Sequence, residues 1–121
     1  MFKQTLNKIL IVEDNLFIGE SIFNIVKEQT EIKDIHLTAS LKEAFSFMNN
    51  VSFKLIILDL NLPDGNGIEL LKKIKEEQIE TKVLVFSIST ELKRISLKYG
   101  AFAFFDKAKD FDKLIETIQN A

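Results

Sequence analysis

Leu55-Ile-Ile-Leu-Asp-Leu-Asn-Leu-Pro-Asp-Gly65 begins with four apolar residues, meets a carboxylate at Asp59 and closes in a Pro63-Asp64-Gly65 turn. A short unbroken apolar run with turn residues beyond it reads as a strand covered on both faces. The pattern recurs along the chain. Residues 9–12 run into Glu13-Asp14, residues 83–86 into Ser87, and residues 102–105 into Asp106-Lys107. A further candidate strand, Asp34–Thr38, ends with nothing ionisable. Groups placed just after separate strands of an open parallel sheet converge on one edge, where such folds bind their ligands. Four endings in register therefore predict an assembled site.

The segments between these strands carry helical spacing. Residues 16–28 put Ile18, Ile22, Ile25 and Val26 on one face, and residues 110–119 do the same with Phe111, Leu114, Ile115 and Ile118. Ser40-Leu-Lys-Glu43 has capping-box form, Asn66-Gly-Ile-Glu69 starts another helix, and Gly100 reads as a helix stop. The expected fold class is α/β, a five-stranded parallel sheet of order 2-1-3-4-5 with helices on both faces. In that order the strand without an ionisable ending is an edge, and the other four are contiguous beside the switch point.

Composition bounds the function. The 121 residues read as one domain, 1–121, with no output domain. A net charge of −2 argues against nucleic acid as the main ligand. No apolar run has the length of a membrane span, and the segment before Ile9 does not read as a signal peptide, so the expected location is cytoplasmic. With no cysteine and a single histidine, His36, thiolate chemistry and a histidine-built zinc site are excluded.

Glu13, Asp14 and Asp59 brought within a few ångströms cannot all stay ionised without a compensating charge. A hard divalent cation is the economical answer, and Mg2+ suits an incomplete acidic cage shared with phosphate oxygens. Lys107 and Ser87 would then bind oxygens of a phosphoryl group, which makes Asp59 a nucleophile toward phosphorus. Taken singly, each residue has a blander reading. Asp14 and Ser87 are potential helix caps, although Ser89 and Thr90 are better placed to start the fourth helix; Lys107 is a potential surface lysine and Phe104 a core residue. Asp64 and Asp106 read as turn or surface acids and His36 as an ordinary strand residue. The conjunction of acid, acid, hydroxyl and ammonium in this order favours the site.

These residues resemble the receiver domains of two-component response regulators, which accept phosphate from histidine kinases or histidine phosphotransfer proteins. Lys8-Ile-Leu-Ile-Val-Glu-Asp14 is similar to the family's first strand and acidic pair, residues 55–67 to its phosphorylation segment, and Gly100-Ala-Phe-Ala-Phe-Phe-Asp-Lys107 to its lysine segment. The resemblance implies a flavodoxin-like receiver fold with Asp59 as phosphoacceptor. It implies Mg2+ held by Glu13, Asp14, Asp59 and the backbone carbonyl of Asn61, with Lys107 paired to Asp59 or its phosphate. Ser87 is then the switch hydroxyl and Phe104 the aromatic switch. Such a chain promotes its own phosphorylation and slow dephosphorylation without turnover of an external substrate. Its expected partners are the phosphodonor, docking around Asn15, Leu16 and Phe17, and a downstream protein or second copy on the face of helix 4, strand 5 and helix 5, where Ile95, Leu97 and Tyr99 are candidates.

Departures from the family pattern carry expectations too. Ala108 stands where the family usually has proline after the lysine, often through a cis peptide, and a cis bond to another residue costs about 2.5 to 4 kcal/mol. The loop geometry there stays open; a trans peptide can still deliver the ammonium on lysine's long stem. Only 12 residues separate Ser87 from Gly100, so an abbreviated fourth helix is expected. Ile88 occupies a position often small in the family and is expected to hinder small phosphodonors and attacking water, lengthening phosphate lifetime. The alternative is a phosphate-independent receiver-like interaction module. A flavin carrier or a phosphatase fits less well, since Glu13-Asp14 would repel a flavin phosphate without a metal and Asn61 stands where a phosphatase wants its second acid.

Overall fold

Unbroken apolar strands need cover on both faces, and the computed structural model, which describes residues 8–121, supplies it. The reading of the leader falls largely on residues 1–7, outside the described residues. Strands β1 (Lys8–Val12), β2 (Asp34–Thr38), β3 (Leu55–Leu58), β6 (Lys82–Ser87) and β7 (Ala103–Asp106) form one sheet in the order β2-β1-β3-β6-β7. All four pairings are parallel. Counting only strands of this sheet, the order is the expected 2-1-3-4-5. Between β3 and α3 (Ile68–Glu76), the two-residue strands β4 (Asn61–Leu62) and β5 (Gly65–Asn66) form a small antiparallel hairpin that the sequence showed only as a turn.

Alternation along each strand divides the core in two. Leu10, Val12, Ile56, Leu58, Val83 and Val85 pack with α2 (Leu41–Asn50) and α3 on one face. Ile9, Ile11, Leu55, Ile57, Leu84 and Phe86 pack with α1 (Leu16–Gln29) and α5 (Phe111–Gln119) on the other. Of the stripes expected on α1 and α5, Ile22, Val26, Leu114, Ile115 and Ile118 are buried, and Ile18, Ile25 and Phe111 are half-buried against the same core. His36 on the edge strand β2 packs at a tilt against Phe47 and edge-to-face against Phe53 and bonds to Asp34, an ordinary strand role.

Boundaries differ from the sequence reading in places with physical causes. The last strand begins one residue later than expected, at Ala103, because Phe102 is apolar yet points to solvent. The fourth helix, α4 (Lys93–Lys98), is six residues long and preceded by a 3-10 turn, Thr90–Leu92, which matches the shortening expected from spacing. Neither Ser89 nor Thr90 caps it through a side chain. The helix expected to start within Asn66-Gly-Ile-Glu69 does so at Ile68, where Asn66 Oδ1 accepts from the Ile68 N–H at 2.9 Å and Gly67 is the residue before the helix.

Candidate functional site

The carboxyl ends of β1, β3, β6 and β7 bring their polar residues to one edge. Backbone bonds fix that convergence, with Glu13 N–H donating to the Thr38 carbonyl, Asp59 N–H to Val12, and Lys107 N–H to Ser87. Glu13, Asp14 and Asp59 each present a carboxylate oxygen within 4.8 Å of the others. Glu13 and Asp59 are each only 3% exposed, whereas Asp14 faces solvent. The Lys107 ammonium stands 2.8 Å from Glu13 Oε1 and 3.2 Å from Asp59 Oδ2.

Burial pushes the Glu13 carboxyl above its ordinary value; the Lys107 hydrogen bond opposes this and the charge of Asp59 adds to it. The Glu13 Oε2 atom also accepts from the Asn15 N–H at 3.1 Å, and Asn15 caps α1 by accepting from the Ile18 N–H at 3.0 Å. Asp59 Oδ1 accepts from the Asn61 N–H at 3.2 Å. Asp59 thus has one oxygen held by its own loop and the other turned to the lysine.

Ser87 is fully buried, and its Oγ accepts from the Ser89 N–H at 3.0 Å. Ser89 in turn accepts from the Asn61 side chain at 3.1 Å, a bridge from the Asp59 loop to the Ser87 loop. Sequence reading missed this bridge, since it joins residues 28 apart that carry no motif. Phe104 is half-buried on the α4 side of β7, packed with Leu92 and Tyr99 against the core. Ile88, next after Ser87, is 68% exposed.

No peptide among the described residues is cis, so Lys107–Ala108 is trans, and the ammonium still reaches both buried carboxylates. The loop is closed by chemistry proline would not allow. The Ala108 N–H donates to Asp106 Oδ1 at 2.8 Å, and the Asp106 N–H to Asp110 Oδ2 at 2.9 Å. Asp106 is therefore a turn acid with a defined task. Gly67 packs under the site: a Cβ there would come 2.7 Å from the Asp59 carbonyl oxygen.

Residues 9–119 match the family model of the response regulator receiver domain, and the chain belongs to that family. It is 24% identical over 115 residues to the nitrate/nitrite response regulator protein NarL of Escherichia coli (strain K12), covering 93% of this chain and 53% of that protein. It is 30% identical to the transcriptional regulatory protein CiaR of Streptococcus pneumoniae, covering 93% of this chain and 50% of that protein. The chain thus spans about half the length of these relatives. Its fold superposes on a CheY-like response regulator receiver domain protein from Methanospirillum hungatei JF-1 with a TM-score of 0.83 at 31% identity, over 95% of this chain and 92% of that one.

Proposed function

We propose that Asp59 accepts a phosphoryl group from the phosphohistidine of a histidine kinase or histidine phosphotransfer protein. The observation that carries this reading is a buried Asp59 carboxylate whose counter-charge, Lys107, is shared with Glu13 beside a third acid, Asp14. In the transfer, an Asp59 oxygen bonds to phosphorus as the nitrogen–phosphorus bond of the donor breaks, its electron pair staying on the imidazole. Lys107 holds charge on the phosphoryl oxygens from one side. Slow attack by water resets the carboxylate.

The donors present are three carboxylates and the nearby Asn61 backbone, a hard-oxygen set with no sulfur or imidazole, which fits Mg2+. Glu13, Asp14, Asp59 and the Asn61 carbonyl would hold it. Bound there, the ion neutralises developing charge on the transferring group.

Ser87 would exchange its bond from the Ser89 N–H for one to a phosphoryl oxygen, favouring a state in which Phe104 moves further inward. The face of α4, β7 and α5 then changes for a downstream protein or a second copy; Ile95, Leu97 and Phe102 are exposed there, and Tyr99 is half-buried beneath the Lys72 ammonium. The donor's helices would dock at the start of α1, where Phe17 is 80% exposed above a groove of about 370 Å3 lined by Ile18, Ile25, Phe86 and Phe111. Residues 1–121 act in this reading as one receiver unit.

Incubation with Mg2+ and acetyl phosphate or beryllofluoride, read by intact mass and amide NMR, tests the proposal. The expected adduct disappears in Asp59→Asn. No adduct, and no shifts near Asp59, Ser87 and Lys107, would turn the assignment to a phosphate-independent interaction module.

A further inference from the structure

The first turn of a helix leaves backbone N–H groups without partners inside the helix. In α2, Ser40 Oγ takes the Glu43 N–H at 3.2 Å, and the Glu43 carboxylate takes the Ala39 N–H at 2.8 Å. That capping box leaves the N–H groups of Leu41 and Lys42. Both are taken from far along the chain, Leu41 by Asp64 Oδ1 at 2.9 Å and Lys42 by Asp64 Oδ2 at 3.0 Å. These bonds hold the Asp64 carboxyl below its ordinary value, the Leu41 N–H contributing most.

Asp64 sits at the tip of the β4–β5 hairpin, and the contact is tight on its other side as well. Gly65 has φ +152°, and a Cβ there would lie 2.8 Å from Leu41 Cδ1, so the tip rests directly on the buried first residue of α2. The opposite end of the hairpin is Asn61, which pairs with Asn66 and donates its N–H to Asp59 Oδ1 at 3.2 Å, tying the hairpin to the acidic cluster. A hairpin of two-residue strands has little stability of its own. Its position depends on what holds its ends: the Gly67 N–H donating to the Leu60 carbonyl at 2.8 Å at the base, and Asp64 at the tip.

We propose that Asp64 is a positioning residue for the acidic site, clamping the hairpin to the N-terminus of α2 and so fixing where Asn61 and the Asp59 carboxylate stand. A carboxylate suits this place because two free N–H groups and the positive end of the helix dipole meet it there. The inference rests on the reading of Asp59 as a metal-assisted phosphoacceptor. It gives a role to an acid that touches neither metal nor phosphoryl group.

The test compares wild-type chain, Asp64→Ala, Asp64→Asn and Ser40→Ala by the Mg2+ concentration giving half-maximal beryllofluoride adduct in amide NMR. All are measured at a temperature where circular dichroism shows each folded. Asp64→Ala is expected to raise that concentration on the order of tenfold, the scale of losing an outer-shell support of a metal site. Asp64→Asn is expected to fall between, since its amide oxygen still accepts one N–H, and it carries the comparison should Asp64→Ala not fold. Ser40→Ala removes a local cap of the same helix and should lower stability while leaving the Mg2+ midpoint in place. An unchanged midpoint in the Asp64 variants, or an equal shift in Ser40→Ala, overturns the proposal. A wild-type chain that forms no adduct overturns the phosphoacceptor reading beneath it.

Discussion

Lys107 keeps its ammonium between Glu13 and Asp59 with only 12% of its side chain exposed, so water cannot replace it as their counter-charge. Removing one partner of a buried ion pair leaves the other charged and unsolvated, which costs more than the pair itself contributes. Lys107→Ala is therefore expected to lose about 3 kcal/mol at neutral pH, read by urea denaturation. Added Mg2+ should return more stability to this variant than to wild type, because the ion takes over the lysine's task. An unchanged urea midpoint would show that Lys107 is not the site's counter-charge. Beside it, the trans peptide to Ala108 shows how one residue departs from a family habit without losing the site: the freed N–H goes to Asp106. Ile88, 68% exposed, lies between Ser87 and the Ser89 that Asn61 bridges from the Asp59 loop. Ile88→Ala is expected to shorten the lifetime of phosphorylated Asp59 a few-fold, followed by loss of the phosphoryl mass after donor removal; an unchanged lifetime removes Ile88 from access control.

The loop from Asp59 to α3 shows how an element is set by contacts rather than by its own sequence. Gly67 has ordinary helical dihedrals, φ −60° and ψ −17°, so its lack of a side chain answers to space alone. A Cβ would meet the Asp59 carbonyl oxygen at 2.7 Å and Leu60 Cα at 3.0 Å, backbone atoms that cannot rotate aside. Gly67→Ala is expected to cost about 1 to 3 kcal/mol through overpacking, measured by thermal or urea unfolding. Because the displaced atom belongs to Asp59, adduct formation should weaken as well, and a variant as stable as wild type would contradict the close approach. Strands β1, β3 and β6 were legible because burial on both faces writes an unbroken apolar run into each; the edge strands β2 and β7 are only half-buried, and β2 interleaves Asp34, His36 and Thr38 with its apolar residues. The convergence of Glu13, Asp14, Asp59, Ser87 and Lys107 followed from strand order. The β4–β5 hairpin was not legible, since its place depends on Asp64 reaching α2, 22 residues from Lys42, and Pro63-Asp64-Gly65 by itself spells only a turn. Phe102 misled for the opposite reason: an apolar residue beside a strand reads as part of it, yet here it is exposed under the Lys82 ammonium.

Over the whole molecule, displaced carboxyls pull the stability curve in opposite directions. Asp34, held down first by its hydrogen bond from Lys8, and Asp64, held down by the α2 amides, both titrate lower when folded than unfolded. Their contribution is present above the unfolded value, about 3.9, and is lost as pH falls through the folded one. Glu13 has the reverse sign. Its folded pKa lies above the ordinary 4.5, so the folded chain binds the proton more tightly than the unfolded chain. Its contribution is complete below that ordinary value and disappears as pH rises through the folded one. Stability without metal is therefore expected to peak in mildly acid solution, falling toward strong acid as Asp34 and Asp64 protonate and toward neutrality as Glu13 ionises. Glu13→Gln removes the ionisable group and should flatten the neutral side while leaving the acid side as steep as before. Mg2+ should lift the neutral side of wild type and do less as pH falls, because the ion competes with protons for the same carboxylates. Thermal unfolding of both proteins across pH, with Mg2+ and with a chelator, checks all of this at once. A neutral slope that survives Glu13→Gln would mean that the buried cluster does not shape this protein's response to pH.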